Sequence, residues 1–132
     1  MTRALRLGLI AAGGIGLAGL LTAAAAPGVL ARAEGGLWEI SRAGTTAVKL
    51  CVANPVVLAQ FEHRGGDCPR EVVRDSGNSA VVSYHCSGGN FGRSEVTAIT
   101  PRSLRVETQG ISANAPFKYV FQARRVGNCQ SH

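Results

Sequence analysis

The spacing of apolar residues changes twice along the chain. From Leu7 to Ala26 no charge interrupts a run rich in Leu, Ile, Ala and Gly. From Trp38 onward the apolar residues come in short runs, many of them alternating with polar ones, broken by Gly, Asn, Asp, Ser and Pro clusters. Alternation with period two is the mark of a strand with one buried face. It predicts strands at Trp38–Ile40, Thr45–Val52, Arg70–Arg74, Ser79–Cys86, Phe91–Thr100, Ser103–Gln109 and Phe117–Arg124. Between the second and third of these lies one helix signal. Asn54 stands where an N-cap belongs, Pro55 at the first helical position, Val56–Glu62 follow, and Gly65-Gly66 stops the helix. The expected fold is mainly β (α+β), an antiparallel meander curling into a sandwich or partial barrel, with one short helix.

The uncharged run is preceded by Arg3 and Arg6, broken by Pro27-Gly28, and followed by Ala31-Arg32-Ala33. A basic start, an apolar run and small residues at the two positions a signal peptidase reads make a secretory leader. Residues 1–33 are expected to be a cleavable signal peptide cut between Ala33 and Glu34, and 34–132 a single exported domain in the periplasm. Ala24-Ala25-Ala26 offers a second small-residue site, but Pro27 would follow that cut. If uncleaved, twenty uncharged residues are long enough to span a bilayer, the one membrane contact expected. Setting the leader aside removes three of the 14 basic residues and none of the eight acids, so eleven against eight leaves a mature charge of +3. That excess is too small and scattered to support nucleic-acid binding.

All four cysteines (Cys51, Cys68, Cys86 and Cys129) fall after the leader. An even count in a small exported domain reads as a disulfide framework with three possible connectivities. Register narrows the choice. A three-residue loop Ser76-Gly77-Asn78 places Asp75 opposite Ser79, Val72 beside Val82 and Cys68 directly across from Cys86, at a distance suited to a bridge. A two-residue loop would shift that register by one. The remaining pair is then Cys51 with Cys129.

Candidate chemistry adds little. Gly14-Ile15-Gly16-Leu17-Ala18-Gly19 spells a dinucleotide-loop motif, but it sits inside the leader without a preceding strand. No C-x-x-C supports redox catalysis. His63, Cys68, His85 and Cys86 come nearest to a zinc set, yet His85 and Cys86 are adjacent and point to opposite faces of a strand. There is no G-x-S-x-G, and the acids are scattered singly. No cofactor, metal or catalytic residue is expected. Phe117, Tyr119 and Phe121 share one strand face and, with Trp38, form either plain core or the lining of an apolar ligand site. Arg124-Arg125 reads as a solvated pair or a contact for acidic envelope components.

Two end motifs carry a resemblance. Gly35-Gly36-Leu37-Trp38-Glu39 is similar to the P-G-L-W-E opening of domain-of-unknown-function family 3617, small exported bacterial proteins. Arg124-Arg125-Val126-Gly127-Asn128-Cys129 resembles that family's closing R-x-G-x-C. Leu50-Cys51-Val52 resembles its segment before a short helix, and Cys68 and Cys86 stand at its middle cysteines. Gly36 replaces the usual proline. The resemblance implies a periplasmic β-rich domain and assigns no catalytic residue. The expected role is a non-enzymatic binding or interaction module that holds an apolar small ligand or docks an envelope protein. The alternatives are a small periplasmic enzyme with an unrecognised site, or a structural envelope protein.

Overall fold

The computed structural model describes residues 12–16 and 26–130; most of the expected leader lies outside the described residues. The chain forms α1 (Gly28–Ala31), β1 (Gly36–Arg42), β2 (Val48–Val52), a 3-10 helix (Pro55–His63), β3 (Arg70–Asp75), β4 (Ser79–His85), β5 (Phe91–Thr100), β6 (Ser103–Ser112) and β7 (Ala115–Gly127). A short 3-10 turn, Ser87–Gly89, joins β4 to β5. The strands make one antiparallel sheet in the order β2-β1-β7-β6-β5-β4-β3. This would be the order of an up-and-down barrel if β2 paired with β3. It does not, so the sheet is open, and the segment joining those two strands supplies a second layer instead. Of the two expected forms, a sandwich and a partial barrel, the second is nearer: among the described residues there is no second sheet.

Alternation decides which face is buried. Trp38 and Ile40, Ala80 and Val82, Val96, Leu104 and Val106, and Phe121 and Ala123 all join one core, with Leu58 and Ala59 of the 3-10 helix packed on them. Ser94 and Thr108, buried on that inner face, satisfy each other through a 2.9 Å hydroxyl hydrogen bond. The opposite face carries ion pairs such as Arg74–Glu95 and Arg105–Glu107.

The expected helix is present and capped as its sequence requires: the Val56 N–H donates to Asn54 Oδ1, with Pro55 at the first turn. It is a 3-10 helix rather than an α-helix, and it is kinked at Gln60. The reason lies in the Gln60 side chain, which is buried and donates to both the His63 and the Gly66 carbonyls while accepting from Arg70. Long 3-10 runs are unfavourable, and here the run is two short pieces joined at that anchor.

The β3–β4 hairpin corrects one expectation. Asp75 faces Ala80, not Ser79, because the turn is a two-residue loop in which Gly77 takes φ +88°. Ser76 donates its N–H to Ser79 across that turn. A bulge between Val72 and Arg74 then absorbs one residue, so Val72 faces Val82 and Cys68 bridges Cys86. Two offsetting shifts restore the expected pairing. Cys51 bridges Cys129, as expected, tying edge strand β2 to the residues after β7. The β6–β7 hairpin turns at Ala113 and Asn114, both with positive φ, and Asn90 Oδ1 accepts the Ala113 N–H.

Non-reducing peptide mapping should recover the Cys51–Cys129 and Cys68–Cys86 peptides; a Cys51–Cys68 peptide would contradict the structure. On chain entropy the 18-residue and 78-residue separations correspond to about 3 and about 4.5 kcal/mol. A Cys68→Ala/Cys86→Ala variant is therefore expected to lose about 3 kcal/mol in urea unfolding.

Candidate functional site

The structure places the aromatic residues expected to share one apolar ligand face on the sheet's inner side. Trp38 is wholly buried on β1, with its indole N–H donating to the Glu34 carbonyl at 3.0 Å. Phe121 is also buried, because Phe61 of the 3-10 helix lies on it with ring centroids 4.7 Å apart. Tyr119 is half-buried at the rim. It donates to Glu62 at 2.7 Å and lies under the Arg42 guanidinium, 3.9 Å from its ring. Phe117, Tyr119 and Phe121 do line one face of β7 in sequence, as period two requires. The chain's own side chains fill that face at Trp38 and Phe121.

At one end of the sheet the inner face follows a specific row. Tyr84, Gly92, Gly110 and Phe117 stand side by side across β4, β5, β6 and β7. Both central positions need glycine: a Cβ on Gly92 would meet the Tyr84 ring, and one on Gly110 the Phe91 backbone. His63, at the end of the 3-10 helix, packs edge-on against both Tyr84 and Phe117, at 5.5 and 5.8 Å. Its Nδ1 shares a 2.9 Å hydrogen bond with the Tyr84 hydroxyl, and its buried Nε2 has no protein partner among the described residues. Burial, and secondarily the negative charge of Glu62, pushes the Tyr84 phenol up to about 12. Tyr119 is raised further, by burial first and then by the hydrogen bond it donates to Glu62.

The outer face of the same end is different. The next row toward solvent is His85, Phe91, Ile111 and Pro116, and the row beside it is Ser83, Arg93, Gln109 and Lys118. Together with Gly92, Gly110 and Phe117 they line an open trough of about 710 Å³. Phe91 is 44 % exposed there, beside the His85 ring. The trough has three basic or imidazole groups in its wall (His85, Arg93 and Lys118) and no carboxylate. The acids one row further are paired with other arginines, Glu95 with Arg74 and Glu107 with Arg105. An apolar floor with unmatched cations along one wall suits a molecule with an apolar body and an acidic group.

Other candidate residues have structural partners. Arg125 donates to the Gly35 carbonyl and to Asn128 Oδ1, and Arg124 approaches Glu39 at 3.5 Å, so this pair stitches β7 to the start of β1. Gly36 takes φ +153° and leaves no room for a Cβ beside the Arg125 side chain and the Gly127 carbonyl. Cys68 and Cys86 are bonded to each other rather than free to ligate a metal with His63 and His85. Sequence reading missed the trough. Its signal was Phe91 and Ile111, apolar residues on strand positions whose neighbours Arg93, Glu95, Gln109 and Glu107 are polar.

Residues 33–129 match the family described as protein of unknown function (DUF3617), and the chain belongs to that family. No curated protein and no solved structure matches it.

Tyr84 and Tyr119 are the only two tyrosines, and the indole of Trp38 does not ionise, so the absorbance rise on phenolate formation follows these two alone. Alkaline titration of the folded protein should show little phenolate at pH 10, with ionisation of Tyr84 only near pH 12. A phenol whose pKa is raised by folding stabilises the fold fully below the unfolded value of 10, and that contribution is lost as pH rises toward 12. Stability in urea should therefore fall across this window, and a Tyr84→Phe variant should lose less.

Proposed function

We propose that this protein works in the periplasm as a non-enzymatic binding module, and that the trough at the β4–β7 end takes an amphipathic anion such as a fatty-acid carboxylate. The observation that carries this reading is the wall of the trough: Phe91, Ile111 and Pro116 offer apolar surface, while Arg93 and Lys118 have no carboxylate partner among the described residues. Apolar lining with a few convergent polar groups is the usual make-up of a small-ligand site. The export leader and the two disulfides support an oxidising, extracytoplasmic location.

A non-enzymatic role is supported by His63, the residue placed most like a catalytic base. Tyr84 engages its Nδ1 and the protein shuts off its Nε2. A general base must reach a substrate proton directly or through one water, and neither nitrogen is presented for that.

The test uses purified exported protein, the apolar anion anilinonaphthalene sulfonate as fluorescent probe, and dodecanoate as competitor. Dodecanoate should displace the probe, and dodecanol should compete less well. Arg93→Glu with Lys118→Glu should weaken dodecanoate binding about fivefold, the scale of two exposed charge contacts. Phe91→Ser should weaken both ligands. Equal competition by alcohol and acid would remove the anionic part of the proposal, and absence of displacement would remove the trough as a site.

A further inference from the structure

Residues 27–33, which read as the last part of a leader, have the packing of a domain's first element. Val29 and Leu30 are each 2 % exposed and share the core with Leu58, Ala80, Val82 and Val96. Pro27 and Ala33 are buried as well. The Pro27 carbonyl accepts from the Leu30 and Ala31 N–H groups, and the Gly28 carbonyl from Arg32, which closes α1 into a single turn. That turn touches the 3-10 helix, β4 and β5.

Polar contacts fix the segment at both ends. The Gly28 N–H donates to Asp75 Oδ2 at 2.9 Å, and the Arg32 guanidinium donates to the Gly77 carbonyl. Asp75 Oδ1 meanwhile accepts the Gly77 N–H at 3.0 Å, so one carboxylate ties the segment to the β3–β4 turn. The Gly28 and Gly77 N–H groups hold the Asp75 carboxyl below its usual range. Directly after the segment, the Glu34 carbonyl accepts from the Trp38 indole, and the Glu34 carboxylate lies 3.4 Å from Arg102. The chain thus enters β1 from α1 through residues that all have partners in the domain.

A leader is discarded, so its residues need no particular partners, whereas these have specific ones. A cut after Ala33 would take Val29 and Leu30 out of the core and leave a void beside Leu58, Val82 and Val96. The sequence offers a cut that avoids this. Ala23 and Ala25 are small at the two positions a signal peptidase reads, and Ala26 rather than Pro27 follows directly. A leader ending there has 25 residues, inside the usual span of about 15–30 that a 33-residue leader exceeds.

We infer that the chain is cut between Ala25 and Ala26, and that residues 27–33 stay in the mature protein as the first piece of its core. The inference rests on the export-processing reading and moves its cut upstream, from Ala33 to Ala25. It is independent of the trough. Arg32 then remains with the domain, so twelve basic residues against eight acids leave a mature charge of +4.

The experiment secretes the full chain from a bacterial host and measures the intact mass of the product. The mass should begin at Ala26. An Ala31→Lys chain, altered at an exposed position that must be small for a cut after Ala33, should be processed identically. Leu30→Ala should raise the unfolded fraction of the secreted product roughly tenfold or more at a fixed urea concentration, the scale of one leucine truncated in a core. A product beginning at Glu34 overturns the proposal, as does an Ala31→Lys chain that stays unprocessed or a Leu30→Ala product as stable as the parent. A product that keeps Met1 overturns the export-processing reading itself, which separates the two failures.

Discussion

An open sheet with one apolar face cannot leave that face in water, and here the cover comes from the 3-10 helix lying across it. The contact that fixes the helix is Phe61 on Phe121, with Leu58 and Ala59 buried beside it. Each large side chain sealed this way contributes roughly 1.5–3 kcal/mol. In a domain whose net stability is on the order of 5–15 kcal/mol, losing the cover would expose the inner face across β5, β6 and β7. Everything near the helix serves to hold it there. Asn54 caps its start, the buried Gln60 anchors its kink, Arg70 closes on Gln60 from the next strand, and Cys68–Cys86 pins the return of the chain. The barrel is left open between β2 and β3 because the chain joining those strands is the lid of the core.

Leaving a sheet open creates two edges, and each is guarded differently. Strand β3 is exposed along its whole length, carries Arg70, Glu71, Arg74 and Asp75, and is bulged at Val73. Charge and bulging both discourage edge-to-edge pairing. Strand β2 is short and ends in the Cys51–Cys129 bridge, which ties it to the chain beyond β7 with β1 between them. The disulfides therefore sit where the sheet is weakest, one at each open edge.

Strand positions were legible because alternation is a local signal: Phe117, Tyr119 and Phe121 face inward as period two requires, and Trp38 joins the same core. The disulfide pairing was legible for a less secure reason. The expected three-residue turn is a two-residue turn, and the bulge between Val72 and Arg74 offsets the error. Nothing in Arg70-Glu71-Val72-Val73-Arg74 announces that bulge, since it answers to the partner strand. The helix type was hidden too, because the kink depends on where the Gln60 amide finds carbonyls. The packing of Val29 and Leu30 was not legible, because an apolar stretch before Glu34 fits an expected leader as well as a piece of core.

These limits bear on where function can reside. The sheet's inner face is closed at Phe121 and Trp38, so the surface left open lies on the outer face. The glycine pair Gly92–Gly110 links that surface to the core. On the inner side Gly92 makes room for the Tyr84 ring, on which His63 packs edge-on, and on the outer side the pair lies in the trough with Phe91 and Ile111. A bulkier residue at either glycine would disturb both sides at once: at Gly92 by displacing Tyr84, at Gly110 by pushing β5 from β6. A binding surface at the trough would therefore be constrained by folding.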